Sequence, residues 1–195
     1  MVGSDSTTNQ IKYAYHKKGG GWTSEVITDT EGGAAFYSMV FGSIGSLGTI
    51  APAVSYYDAF AGDLKVATRS QGITTNWDVT ELAAKGAVGS YSSVGIFDQT
   101  DSTSLPQTYA YDKSTDSVVF VIRFNPKQAY HGFSDTGEPY KLIAHGGRYL
   151  SMARDVRLDI ISTDAAYFDT DLNALHIGTV FPLLDDKIPP LTVPE

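Results

Sequence analysis

The sequence predicts an all-β chain of β-propeller-like blades, each made of short antiparallel strands. Three observations carry this expectation. The segment Pro52-Ala53-Val54-Ser55-Tyr56-Tyr57-Asp58, followed by Leu64–Arg69, returns 54 residues later as Pro106-Gln107-Thr108-Tyr109-Ala110-Tyr111-Asp112, followed by Val118–Arg123. A repeat of about 50 residues built from short strands is the pattern of propeller blades. Between and around these copies, apolar runs of about four to eight residues are bounded by Gly, Asp, Ser or Pro. Finally, only 18% of residues are charged, whereas the chain holds 19 Gly and 12 Tyr, a mix that suits strands and tight turns rather than surface helices.

Taken in order, residues 1–10 are polar and read as an arm. Ile11–His16 alternates as a strand, Gly19-Gly20-Gly21 turns, and Trp22–Ile27 forms the next strand. Tyr13-Ala14-Tyr15-His16 matches Tyr109-Ala110-Tyr111-Asp112, which places a partial third copy at the start of the chain. Strands follow at Phe36–Phe41, Ala53–Tyr57 and Leu64–Arg69, with a Gly- and Ser-rich loop over Gly42–Gly48 and a tight turn over Asp58–Asp63. The cycle restarts as Trp77–Leu82 answers Trp22–Ile27 and Tyr91-Ser92 answers Tyr37-Ser38. Ile96–Ser104 is a variable loop, and Gln107–Tyr111 and Val118–Phe124 are strands.

The organisation is therefore an arm at 1–10, blade repeats over 11–124, and a C-terminal β module or degenerate blade over 125–195. In that last part Asn125–Pro139 reads as a long loop, with strands at Tyr140–Ala144, Arg148–Ala153, Val156–Ser162 and Ala174–Phe181. Asp171–Ile177 echoes Gly62–Ala67 faintly. The Pro-rich end, Ile188–Glu195, cannot pair as a central strand and is expected to lie along another surface.

A net charge of −8 and the absence of any basic run longer than Lys17-Lys18 argue against a nucleic-acid partner. No cysteine is present, which excludes disulfide and thiol chemistry. The apolar stretches are strand-sized and too short to span a bilayer as a helix. The N-terminus lacks the basic-then-apolar form of a signal peptide, so an extracellular or virion-surface location would require a removed leader or another route.

Trp22-Thr23-Ser24-Glu25-Val26, Tyr37-Ser38, Pro52 through Asp58 and Gly62-Asp63-Leu64-Lys65 resemble the repeat blades of bacterial and viral β-propellers of the sialidase-like and lectin-like kind. The resemblance covers about residues 11–124. It implies a propeller fold. The sequence departs from that pattern: the Asp-box of sialidases (Ser-x-Asp-x-Gly-x-x-Trp) is absent, and so is a spread of arginines able to clamp a carboxylate. Two or three blades are too few to close a propeller. The expected remedy is a homo-oligomer, with a trimer of two-bladed chains favoured, as in small trimeric lectins, or neighbouring subunits of a larger particle.

Candidate binding residues recur in the repeat: Trp22 and Trp77, Glu25 and Glu81, Tyr57 and Tyr111, Arg69 and Arg123. An aromatic face, a carboxylate acceptor and a guanidinium donor are what a sugar pocket needs. The same residues also suit packing and ion pairing between blades. Asp58 and Asp112 open turns, where Asp bonds its own backbone. The four histidines share no metal-ligand spacing, no Gly-x-Ser-x-Gly elbow is present, and no cofactor is expected. Asp185-Asp186, as neighbours on a strand, would point to opposite faces. The expectation is a non-catalytic, lectin-like glycan binder acting as an oligomer. The alternatives are a structural subunit of a virion or phage appendage and, last, a glycoside-processing enzyme.

Overall fold

The computed structural model describes residues 1–43, 50–69, 76–83, 87–98, 104–122, 140–144, 146–157 and 160–180. One hairpin, used four times, sets the architecture. Asp5, Asp58, Asp112 and Asp169 each turn a carboxylate oxygen back onto the backbone just ahead. Asp5 accepts from the N–H of Thr7 at 3.0 Å, Asp58 from Phe60 at 3.0 Å and Ala61 at 3.1 Å, Asp112 from Ser114 at 2.8 Å, and Asp169 from Asp171 and Leu172 at 2.9 Å. Four residues after each aspartate the chain enters the left-handed region, at Asn9 (φ 53°), Gly62 (81°), Asp116 (46°) and Asn173 (49°). Asn, Asp and Gly are the residues that tolerate this conformation, so each turn is encoded locally.

These turns join strands into four antiparallel meanders. The first sheet is β1 (Val2–Asp5), β2 (Gln10–His16) and β3 (Trp22–Asp29). The second is β4 (Ala34–Ser43), β5 (Ile50–Asp58), β6 (Asp63–Arg69) and β7 (Trp77–Ala83). β8 (Val88–Asp98), β9 (Ser104–Asp112), β10 (Ser117–Ile122) and β11 (Tyr140–Ala144) form the third. The fourth is β12 (Arg148–Arg157), β13 (Ile160–Asp169) and β14 (Ala174–Val180). The described residues are thus all-β, with blade-like sheets and no helix.

Several expectations shift. Val2–Asp5, inside the segment expected as an arm, is a paired strand whose Ser4 lies opposite Ile11. It holds the place taken by Tyr109–Asp112 in the third sheet, so Tyr13–His16 was matched to the wrong strand: Ile11–His16 corresponds to Leu64–Arg69. The N-terminal copy carries Ser4 where the later copies carry Tyr57, Tyr111 and Phe168, which hid the true match. Arg148–Arg157 is one strand, and β13 covers Ile160–Asp169, where only Val156–Ser162 was expected. The echo in the C-terminal part is real, with Leu175, His176 and Ile177 standing where Leu64, Lys65 and Val66 stand. β8 runs on through Asp98, so Ile96 to Asp98, expected to open a loop, belong to the strand. The loop at Asn125–Pro139 and the Pro-rich end lie outside the described residues.

Because side chains alternate along a strand, each sheet offers one face to the next. Ile11, Tyr13 and Ile27 of the first sheet pack on Val54, Tyr56 and Ala67 of the second. Leu64, Val66 and Leu82 of the second pack on Val88, Ala110 and Val119 of the third. Each fully buried Leu, Ile or Val contributes about 1.5–3 kcal/mol relative to exposure, so these inter-sheet seams are the core.

The leading strands β4, β8 and β12 each carry a bulge, at Ala35/Ser38, Ser90/Ser93 and Arg148/Ser151. Each bulge places an aromatic in the left-handed region: Phe36 (φ 55°), Tyr91 (52°) and Tyr149 (58°). Their rings follow one another, Phe36 to Tyr91 at 4.5 Å and Tyr91 to Tyr149 at 5.0 Å. Serines stitch β4 and β5 to β8: Ser92 Oγ donates to the Phe36 carbonyl at 2.9 Å and lies 3.0 Å from Ser55 Oγ. Gly147 is required where β12 begins, because a Cβ there would run into Val118 Cγ2.

Candidate functional site

The seam between the first and second sheets gathers the most chemistry. Arg69 ends β6 and Glu25 lies in the middle of β3. Arg69 donates from Nε to Glu25 Oε2 at 2.9 Å and from Nη2 to Oε1 at 2.6 Å. This is a bidentate pair between sheets, with both side chains about three-quarters or more buried. Tyr15 of β2 donates its hydroxyl to Glu25 Oε1 at 3.0 Å, and the Arg69 guanidinium lies over the Tyr15 ring at 5.6 Å. Tyr13 stacks on Tyr15 at 5.3 Å and meets Trp77 of β7 edge-on at 5.5 Å. Trp77 is half-buried against this cluster.

Charge at this seam is set by competition. Burial pushes the Glu25 carboxyl up, but hydrogen bonds from Arg69 and Tyr15 outweigh it and hold the group below its ordinary value. The Glu25 bond in turn raises Arg69. The Trp77 indole lies close enough to Glu25 to add to this lowering, yet its buried N–H meets no partner in hydrogen-bond geometry. The result is a fixed anion–cation pair, an aromatic cluster and an indole N–H without a hydrogen-bond partner at one seam.

The other candidate residues divide. Trp22 opens β3 opposite His16, as Trp77 opens β7 opposite Arg69, so the two tryptophans are equivalent. Their surroundings differ: Trp22 is exposed and touches only the His16 ring edge-on among described aromatics, at 5.7 Å. Glu25 and Glu81 are not equivalent. Tyr13 pairs with Glu25, whereas Lys65, one residue out of phase, pairs with Glu81. Glu81 therefore turns to the other face, where it helps burial raise the Asp63 carboxyl. Tyr57 leans on Phe36 at 6.3 Å, and Tyr111 is buried, donating to Asp116 Oδ1 at 2.5 Å. Both tyrosines serve the bulge region, away from that seam. Arg123 lies outside the described residues. Tyr13 and Tyr15 were missed as site residues, although their alternation on a strand beside Glu25 was available as a signal. Among the described residues no cluster of three or more His, Asp or Glu is placed to hold a metal ion.

No protein-family model matches the chain, and no curated protein matches it. A solved structure does. The fold is similar to that of AofleA from Arthrobotrys oligospora. The TM-score is 0.66 at 14% identity, over 96% of this chain. The chain spans about half of AofleA, 51% of its length. At this identity the likeness concerns the arrangement of strands, and it covers all four sheets.

Proposed function

We propose that the protein binds carbohydrate without turning it over, and that the seam between the first and second sheets holds one sugar unit. The observation that carries this is the Glu25–Arg69 pair set beside Tyr15 and Trp77, whose buried indole N–H lacks a partner. A sugar hydroxyl can accept from the unpartnered indole N–H and add to the polar Arg69–Glu25 pair, and the sugar's apolar ring face suits an aromatic. The fold likeness to AofleA supports the arrangement of small antiparallel sheets on which this reading stands. A binding role fits the electrostatics better than hydrolysis, because a general acid needs a raised carboxyl and Glu25 is lowered.

The test is a broad glycan array followed by calorimetry on any hit. Arg69→Ala and Glu25→Gln are each expected to weaken binding at least about tenfold, roughly 1.4 kcal/mol. Trp77→Phe, which keeps a ring but removes the N–H, is expected to weaken it less than Trp77→Ala. Silence of the wild-type protein across the array, or binding unchanged in Arg69→Ala, would overturn the reading.

A further inference from the structure

Each internal junction has two unlike sides. The leading side carries Ile11 and Tyr13 in the first sheet and Leu64 and Val66 in the second, all of them 6% exposed or less. The trailing side carries Trp77, Ala67 and Tyr56 in the second sheet and Ala110 and Val119 in the third. By hairpin register, Leu175 and Ile177 of β14 are the leading-side residues of the fourth sheet. They are 67% and 70% exposed. At the other end of the series, Trp22, in the position of Trp77, is 67% exposed on the trailing side of the first sheet, with Val26 beside it on the same face. Among the described residues, one end of the series offers an unfilled leading side and the other an unfilled trailing side.

We infer that these two faces bind each other between copies of the chain, the fourth sheet of one copy seating on the first sheet of the next. The two ends have the two unlike halves of the same seam, so a second copy fits where an unrelated partner would have to imitate a blade. An isologous contact would set like face on like face. The head-to-tail contact repeats instead the junction already used inside the chain. Burying Leu175, Ile177, Trp22 and Val26 would remove the largest exposed apolar faces at the two ends of the series. In such a seam Trp22 and His16 occupy the positions that Trp77 and Arg69 hold at the seam between the first and second sheets. The inference stands apart from the sugar reading and is tested without any glycan.

Light scattering at micromolar concentration is expected to give a mass above the 21.0 kDa of one chain. Leu175→Glu/Ile177→Glu spoils one face and Trp22→Glu the other. Each variant alone is expected to run as a monomer with the wild-type circular dichroism spectrum, since these side chains are solvent-exposed in the single chain. Mixed, they retain one good face each and are expected to form a 1:1 pair at twice the single-chain mass. A monomeric wild type would overturn the inference. So would variants that remain associated, or a mixture that stays monomeric.

Discussion

At the scale of single residues, the recurring aspartate does two jobs. It closes the hairpin by accepting backbone N–H bonds, and in two copies it also holds a lysine seven positions on: Lys12 Nζ to Asp5 Oδ2 and Lys65 Nζ to Asp58 Oδ2, both 2.6 Å. The Lys12 and Thr7 hydrogen bonds bring Asp5 down to about 2 from 3.8. For Asp58, burial pushes the carboxyl up, but bonds from Lys65 and Ala61 leave it lowered. A carboxylate lowered in the folded state contributes stability that is complete above its unfolded value and lost as pH falls through its folded value. Asp5, Glu25 and Asp58 all act in this sense. Urea midpoints measured against pH are therefore expected to drop between about pH 4 and pH 2, and Asp5→Asn should flatten part of that drop. Asp63 acts oppositely: burial and Glu81 raise it, so its contribution is present at low pH and fades as pH rises through its folded value. The other three copies have uncharged Gln10, Ser117 and Ala174 at its position.

At the scale of elements, the strand that follows each aspartate turn decides how firmly one sheet seats on the next. Leu64 is fully buried between the second and third sheets, beside Val88 and Val119. Leu64→Ala is expected to cost about 2–5 kcal/mol by chemical unfolding, the usual range for a buried leucine that leaves a cavity. A loss under about 1 kcal/mol would mean that the seam is loose. Strand positions were largely readable from the sequence, since alternation and turn residues are local signals. The bulges were not. Phe36, Tyr91 and Tyr149 are aromatic residues in a left-handed conformation that such side chains adopt at a cost, and only the neighbouring leading strands hold them there. Matching Tyr91 to Tyr37 by sequence failed for this reason, because the structural partner of Tyr91 is Phe36.

At the scale of the whole molecule, Glu25 and Arg69 lie 44 residues apart and meet only because two sheets pack face to face. A double-mutant cycle on Glu25→Gln and Arg69→Gln is expected to show a coupling of about 1–3 kcal/mol, in keeping with a charged, bidentate and largely buried contact. The more exposed Lys12–Asp5 pair, within one sheet, should couple more weakly, since water screens it. Equal values would mean that the Glu25–Arg69 pair is open to water. The chain's own sequence determined the all-β class, the repeat and the aspartate turns, because hairpins form from residues adjacent in the chain. It placed Trp22 and Trp77 in equivalent positions and put Arg69 and Glu25 among the candidates. Tertiary structure alone decided that Glu25 meets Arg69 across two sheets, that Trp77 is half-buried while Trp22 is exposed, and that the described residues form a series of four sheets. Contacts between residues far apart in the chain form only when sheets pack on one another, whereas the opposite facing of Glu25 and Glu81 follows from their offsets of three and four residues from Trp22 and Trp77, the bulges falling at corresponding places, Ile11/Lys12 and Leu64/Lys65.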